Sequence, residues 1–403
     1  MSVMPPSLYN PAATPWRLVI LLGALTAIGP MAIDMHLAGL TAMQRDLGAT
    51  PGEGQASVAS FFAGMALGQF IYGPASDRFG RRGPILIGMV IYLVATAVCA
   101  LSTSVEMLIS ARFIQAIGAC AGQVVTRAVV RDHFDHQNTA RVLSLLTLVM
   151  GLAPILAPQL GGFVLMAASW RAIFWLMFGI GGAIGLWTLI SLKESQSHEA
   201  RAVARQESVL GSFIALFKQR RLVGYALGGA LNGATLFTYV AGSSALVVEV
   251  YGISPAWFPL VFAINAVAII GSSQVNRFLL RTVPSDTILR RASVTAIGMA
   301  AILTLFAVTG WGGVWTVLPM IFLVLSSYSF AQNNTMAGAL SVDPARAGSI
   351  SALMGAASFG AGALAATVVG SFHDGTARPM AIAMLLAVSA SAAAIYGLAL
   401  RRS

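Results

Sequence analysis

Long apolar stretches alternate along this chain with short polar punctuation. Bounded by charge, proline or glycine, the apolar runs fall at 17–39, 56–75, 84–102, 106–127, 141–165 and 170–192, and again at 220–246, 255–276, 292–310, 314–338, 346–370 and 378–400. About 20 apolar residues rising 1.5 Å each cross a hydrocarbon core of ~30 Å, and in lipid each backbone N–H and C=O must find its partner inside the segment. The runs therefore predict helices, and they are too long and continuous for the strands of a barrel. The one long polar interval, 193–219, divides them six and six. The expected architecture is an all-α integral membrane protein with twelve transmembrane helices. It comprises a cytoplasmic tail (1–16), a six-helix bundle (17–192), a central cytoplasmic loop (193–219) and a second bundle ending in a short tail (220–403), the bundles being repeats related by a pseudo-two-fold axis.

Composition agrees. With 57% hydrophobic and 9% charged residues over 403 positions, the chain has too few charges to cover a soluble globule. The charges it has are sorted: with both termini inside, all Lys and Arg fall in cytoplasmic segments except Arg45, Arg171 and Arg378 outside and Arg112 within a span. That asymmetry predicts an even number of helices with cytoplasmic N- and C-termini, as for a bacterial inner-membrane protein. The net charge of +10 is then a matter of topology, and no soluble basic module exists to bind nucleic acid. Cys99 and Cys120 lie inside spans as packing residues. The proline-rich first fifteen residues read as a tail without a removable signal.

The densest polar cluster is Gly73-Pro74-Ala75-Ser76-Asp77-Arg78-Phe79-Gly80-Arg81-Arg82, read as a tight cytoplasmic turn between the second and third helices. A degenerate copy, Asn276-Arg277-Phe278 with Arg281, follows the eighth helix 199 residues later, consistent with duplication.

Two ionisable residues remain inside the spans, Asp34 in the first and Arg112 in the fourth. Both sit roughly 8 to 9 Å below the outer boundary. An intramembrane carboxyl costs roughly 2.5 to 3.5 kcal/mol on insertion scales, so it is a functional hypothesis by default. Unpaired in a partly dry cavity, Asp34 would hold a proton; beside the Arg112 guanidinium it would give the proton up. The structural alternative is a permanent ion pair that fixes helix packing. His36 points to another side of the first helix and reads as a core residue. Gln115 and Gln123 share a helix face with Arg112. In the fifth span Pro154 and Pro158 predict a bend, and Gly161 and Gly162 a close approach to a neighbour. The second half offers polar side chains without charge, Asn232, Tyr239, Asn265 and Asn333 among them. With Phe61, Phe62 and Met65 from the first half they are candidates for a mostly apolar substrate cavity, with helix packing an equal alternative.

The cluster at 73–82 resembles the loop motif Gly-x-x-x-Asp-Arg-x-Gly-Arg-Arg of the major facilitator superfamily at every fixed position. Arg112-Phe113-Ile114-Gln115-Ala116-Ile117-Gly118 is similar to its fourth-helix motif, with Ala116 replacing a glycine. Ala153 to Gly162 is similar to its exporter-associated fifth-helix motif, with two glycines replaced by alanine. Asp34-Met35-His36-Leu37, Arg131-Asp132 and the Trp170–Trp175 segment resemble the Bcr/CflA-like drug-resistance branch, with His36 in place of tyrosine and Ala38 in place of proline. The resemblance implies a drug:proton antiporter that exports small amphipathic compounds, phenicol-type and bicyclic antibiotics included. It further implies proton coupling at Asp34 and Arg112, and conformational gating by Gly73, Asp77, Arg78, Gly80, Arg81, Arg82, Pro154, Pro158, Gly161 and Gly162. Its partners would be protons, the drug and the bilayer, with the carrier acting as a monomer. The alternative is proton-coupled uptake or export of a small metabolite on the same fold. No phosphate loop or nucleophile motif is present, and Asp132, His133, Asp135 and His136 lack a complete ligand spacing, so neither enzyme activity, metal nor cofactor is expected.

Overall fold

The computed structural model describes residues 16–197, 201 and 209–400, and in it the twelve runs form twelve helices long and apolar enough to cross a membrane. In chain order they are α1 (Trp16–Leu47), α2 (Pro51–Phe79), α3 (Arg82–Ala100), α4 (Val105–His133), α5 (His136–Ala167) and α6 (Trp170–Ser191). The second half contains α7 (Arg220–Ser244, extended by a π turn to Val250), α8 (Phe258–Leu279), α9 (Ser285–Thr309), α10 (Val314–Val342), α11 (Ala347–Ser371) and α12 (Arg378–Ala394, extended by a π turn to Ala399). Most of the tail and much of the central loop, with Glu199, Arg205 and Glu207, lie outside the described residues.

Several helices outrun their apolar stretches because polar caps carry the first turn beyond the hydrocarbon. Thr50 and Glu53 form a reciprocal capping box at α2, with Glu53 Oε2 accepting from Thr50 N at 2.8 Å and Pro51 beginning the helix. Ser104 caps α4 and Asp135 caps α5. The turn expected over 73–82 is shorter than the glycines suggested. Gly73 and Pro74 are helical and α2 continues to Phe79, since a proline ring removes one internal bond without obliging the helix to stop; Gly80 alone makes the reversal, at φ 95°.

The helix contacts repeat with an offset of six. Helix α1 packs on α4, α5 and α6, α2 on α4, and α3 on α4 and α6; correspondingly α7 packs on α10, α11 and α12, α8 on α10, and α9 on α10 and α12. The two bundles meet along two seams that the same two-fold exchanges, α2 with α11 and α5 with α8. Lipid offers no hydrophobic drive between helices, so close approach through small residues holds them together. A Cβ on Gly118 would stand 2.6 Å from the Gly88 carbonyl oxygen, and one on Gly122 2.5 Å from that of Leu25.

With an even number of helices, the described ends at Trp16 and Leu400 share one face, called here the terminal face. At the opposite face the bundles are shut: Thr41 and Ser244 hydroxyls lie 3.4 Å apart, and a Cβ on Gly52 would stand 3.0 Å from the Gly370 carbonyl. Toward the terminal face, a Cβ added at Gly73 or Gly348 on the α2–α11 pair would meet nothing within 4 Å, so the close contact of the opposite face is not repeated at these positions.

Gly118→Val, which drives a branched side chain into the backbone of α3, should destabilise the detergent-solubilised protein by about 3 kcal/mol and lower its apparent melting temperature sharply. Gly298→Ala in α9, whose Cβ would meet nothing within 4 Å, should leave it unchanged or raise it slightly. Equal melting of the two variants would contradict the packing described.

Candidate functional site

Arg112 is wholly buried on α4, and dipoles rather than an acid answer its charge. Its Nη1 donates to the Ala32 carbonyl on α1 at 2.9 Å and to Gln115 Oε1 at 2.7 Å, while Gln115 Nε2 donates to Thr96 Oγ1 on α3 at 2.8 Å. The guanidinium lies over the Phe61 ring of α2 at 4.2 Å from its centroid, with Phe174 of α6 at 6.0 Å. Nε and Nη2 have no partner among the described residues.

Asp34 lies at the same depth but does not pair with Arg112, which corrects the permanent ion-pair reading. Equal depth fixes height and leaves azimuth free; Arg112 turns to the Ala32 carbonyl, on another side of α1. The aspartate has neither hydrogen bond nor ion pair among the described residues. It is 5% exposed, enclosed by protein. Across the bundles, Tyr239 of α7 lies within electrostatic range of the carboxylate. A Cβ on Gly161 would stand 2.7 Å from the Met35 carbonyl, so α5 lies directly against α1 beside Asp34, and Gly162 similarly faces Pro259 of α8 at 3.0 Å. Pro154 and Pro158 fall within the unbroken α5. His36 is a satisfied core histidine, 3.0 Å from the Ser57 hydroxyl and packed on Phe174.

The predicted cavity residues divide. Phe62 meets Phe237 and Phe359 across the bundles, with centroids 4.4 and 6.3 Å away, and so lies at the meeting of the halves. Tyr239 accepts from Asn265 Nδ2 at 3.0 Å; Asn265 Oδ1, Gln123 Oε1 on α4 and the hydroxyls of Thr126, Thr235 and Thr238 are buried without a partner among the described residues. The three threonines were not foreseen, because an isolated threonine in an apolar run is usually satisfied by its own helix. Phe61, Met65 and Gln115 do not line open space: Phe61 lies under Arg112, Met65 is sealed against α1, and Gln115 is turned to Thr96. Asn232 donates to the Tyr328 carbonyl and Gln332 within its own bundle, and Asn333 is exposed, bonded to Ser273. A cavity of about 420 Å³ lies elsewhere, at the opposite face between Thr50–Glu53 and Gly370–His373.

On the terminal face the cluster at 77–82 is built into a network. Arg81 pairs with Asp77 at 2.5 Å and with Asp132 at the end of α4 at 2.9 Å. Glu194, just past α6, accepts from the backbone N–H of Arg81 at 2.9 Å and of Arg82 at 3.2 Å, capping α3, and Arg82 donates to the Leu189 carbonyl. Arg78 also has a partner. Asp132 and Glu194 were missed as site residues. The signals were charge, two acids on the same predicted face as a cluster of arginines, and for Asp132 the resemblance carried by Arg131-Asp132. Partial burial raises the Glu194 carboxyl, but the N–H donors of Arg81, Gln196 and Arg82 and the Arg201 guanidinium outweigh it and hold it below the ordinary glutamate range.

Taken together, two repeat-related helix bundles closed over one face, with ionisable side chains sealed inside, define a multi-pass membrane carrier rather than a soluble protein or a barrel. The chain matches the Major Facilitator Superfamily over residues 20–367 and belongs to it. It is 34% identical over 98% of both chains to an uncharacterised transporter of that type, YdgK, from Bacillus subtilis. It is also 30% identical to a bicyclomycin resistance protein homolog of Haemophilus influenzae, covering 95% of this chain and 96% of the relative, and 31% identical to the multidrug resistance protein MdtL of Klebsiella pneumoniae over 70% and 71%. The fold is shared with a D-xylose-proton symporter (TM-score 0.73, 13% identity, 93% and 96% covered) and the nucleoside transporter NupG (0.70, 16%, 94% and 98%).

Because the Glu194 carboxyl is depressed in the folded protein, its tether is complete above the ordinary glutamate value and is lost as pH falls through the lower folded one. Glu194→Gln should speed amide exchange at Arg81, Arg82 and Gly83 roughly tenfold at neutral pH, equivalent to ~1.4 kcal/mol. Corrected for intrinsic rates, wild type should converge on the variant in acid. Hydrogen-exchange mass spectrometry that found the two alike at neutral pH would exclude the tether.

Proposed function

We propose that the chain is a drug:proton antiporter of the bacterial cytoplasmic membrane, exporting small amphipathic compounds of the phenicol or bicyclomycin kind by alternating access. The observation that carries the reading is Asp34: an intramembrane carboxylate enclosed by protein and unclaimed by Arg112, which turns to Ala32 and Gln115 instead. The drug-resistance names of two relatives support the substrate class. With the arginine-rich terminal face in the cytoplasm, as the charge asymmetry favours, the structure corresponds to an inward-facing carrier. Drug binds among the Phe62 cluster, Tyr239, Asn265 and Gln123 while Asp34 is ionised; the halves rock; drug leaves outward; protons from outside neutralise Asp34 and the empty carrier returns. Arg112 stabilises the ionised state from α4. Asp77, Arg81, Asp132 and Glu194 brace the first bundle so that it moves as one body. The carrier works as a monomer, since each bundle finds its seam partners within the chain.

Each proton falling through 100 mV supplies ~2.3 kcal/mol, enough to sustain roughly a fiftyfold drug gradient before any pH difference is counted. Everted vesicles energised to an acidic interior should therefore accumulate a phenicol with wild type and hold it only at equilibrium with Asp34→Asn. Cells carrying the variant should lose protection against the same antibiotic. Accumulation in right-side-out vesicles instead would establish uptake, and equal protection by both proteins would refute the coupling role.

A further inference from the structure

The proposed cycle leaves one arginine of α4 without a role. Arg127 lies six residues before the end of the helix at His133, ~9 Å inside the terminal face. Three sides of α4 are closed by neighbours along this stretch: a Cβ on Gly118 would strike Gly88 of α3, one on Gly122 would strike Leu25 of α1, and one on Gly68 of α2 would strike Cys120. The side left between α1 and α2 carries Arg112, Gln123 and Arg127. From Gln115 to Val130 only Arg127 is exposed, yet protein surrounds its guanidinium almost as fully as it does that of Arg112. A side chain that is accessible and enclosed at once stands on the wall of an internal, hydrated space and not on the lipid-facing surface.

Nothing negative answers its charge. Arg127 has no hydrogen bond, ion pair or ring beneath it among the described residues, and the charged group within electrostatic range is Arg131, one turn on and of the same sign. The acids that follow in the chain are engaged elsewhere: Asp132 accepts from Arg81 Nε and from Ser195 Oγ, both at 2.9 Å, and Asp135 caps α5. Like charges at i and i+4 repel, and enclosure strengthens the repulsion, so the pair favours a bound anion. Arg112 directs its Nη1 to Ala32 and Gln115 and lies over Phe61, whereas all five N–H donors of Arg127 are unclaimed among the described residues. Their planar fork matches a carboxylate or a phosphate with two parallel bonds. One turn deeper, Gln123 Oε1 is buried without a partner among the described residues and can accept from an N–H or O–H beside the acid.

We propose that Arg127 is an anion site on the inner half of the transport path, and that the carrier takes amphiphiles bearing a single carboxylate alongside neutral ones. The acid docks on the Arg127 fork with Gln123 above it, and the apolar body leads on toward the Phe62 cluster. Cationic compounds meet two arginines at the same level and are turned away. The inference rests on the export reading for path and direction, and deepens it by naming a charge class. It also changes the energetics: a monoanion leaves the cell down the potential, so at equal proton number each turnover moves one more elementary charge than a neutral drug does. The gradient sustained at about 100 mV is then roughly fiftyfold steeper.

The test uses two fluorescent probes of one shape, a diethylaminocoumarin carboxylic acid, anionic at neutral pH, and its uncharged ethylamide. In phosphatidylcholine nanodiscs holding the full chain, with binding to empty discs subtracted, wild type should bind the acid roughly tenfold more tightly than the amide (~1.4 kcal/mol). Arg127→Gln should abolish that preference and leave the amide's affinity where it was. Arg127→Lys, which keeps the charge without the fork, should reduce the preference about threefold. A preference that survives Arg127→Gln puts the anion elsewhere and overturns the proposal, as does equal loss of acid and amide in a variant that melts like wild type. Should Arg127→Gln not fold, Arg127→Lys carries the test, and an unchanged preference overturns the site. Displacement of the acid by phosphatidylglycerol added to the discs would make Arg127 a seat for lipid headgroups, which also overturns it. In everted vesicles, accumulation of the acid should rise more steeply with an imposed inside-positive potential than that of the amide. Accumulation of the amide alone overturns the substrate class. Accumulation of neither, with the binding preference intact, refutes the export reading and leaves the anion site standing.

Discussion

A guanidinium sealed inside apolar helices must be answered by something, and the rest of this structure depends on what answers Arg112. The Ala32 carbonyl, the Gln115 amide and the face of Phe61 share the charge, and Gln115 is itself held by Thr96. One side chain thereby links α1, α2, α3 and α4 at a single level. Because those dipoles stand in for an acid, Asp34 is left unclaimed on the other side of α1. An uncompensated buried charge is expensive, and the two idle nitrogens of Arg112 keep this arrangement from being a deep energetic well. A carrier that must leave each of its states benefits from that.

The bundles are stiff within and soft between. Within the first bundle, Arg81 bridges Asp77 and Asp132 while Glu194 caps α3, joining four segments through charge-assisted bonds. Across the closed face the contacts are of another kind: Gly52 on Gly370, Gly162 on Pro259, the Phe62, Phe237 and Phe359 rings, and the Thr41 to Ser244 hydroxyl contact. Parting such surfaces loses dispersion, which lipid or water partly restores, and separates no ion pair. Rocking of two rigid halves is the mechanical consequence.

What could be read from the sequence followed from rules with one coordinate. Twelve spans are legible because length and hydropathy alone decide whether a segment crosses lipid, and the polar interval at 193–219 is legible as a break for the same reason. The depth of Asp34 and Arg112 was equally open to counting. Their azimuths were not, since the direction in which Arg112 turns depends on which carbonyl of α1 the close approach at Gly122 brings within reach. Gly73 misled because glycine and proline mark turns in water, whereas in a membrane neighbouring helices tolerate them mid-helix. Glu194 was hidden by sequence distance: its partners lie 112 and 113 residues away, and no local pattern pairs a linker acid with the N-terminus of α3.

Duplication supplies two equivalent seams, but a single polypeptide joins the copies only once, and that join cannot itself be symmetric. The helix at Val209–Phe217 settles on α2 and α11 because it leaves α6 and must reach α7, and its apolar residues Phe213 and Leu216 find cover there. Among the described residues no such helix lies on the other seam, where the stripe of α5 toward α8 carries Ser144 and Thr147 at one end and Pro158 and Gly162 at the other. A pattern of that kind has no use in a helix surrounded by lipid throughout its length. It does have one in a helix that packs closely on α1 and α8 at one end, where Gly161 and Gly162 sit, and presents exposed polar side chains at the other.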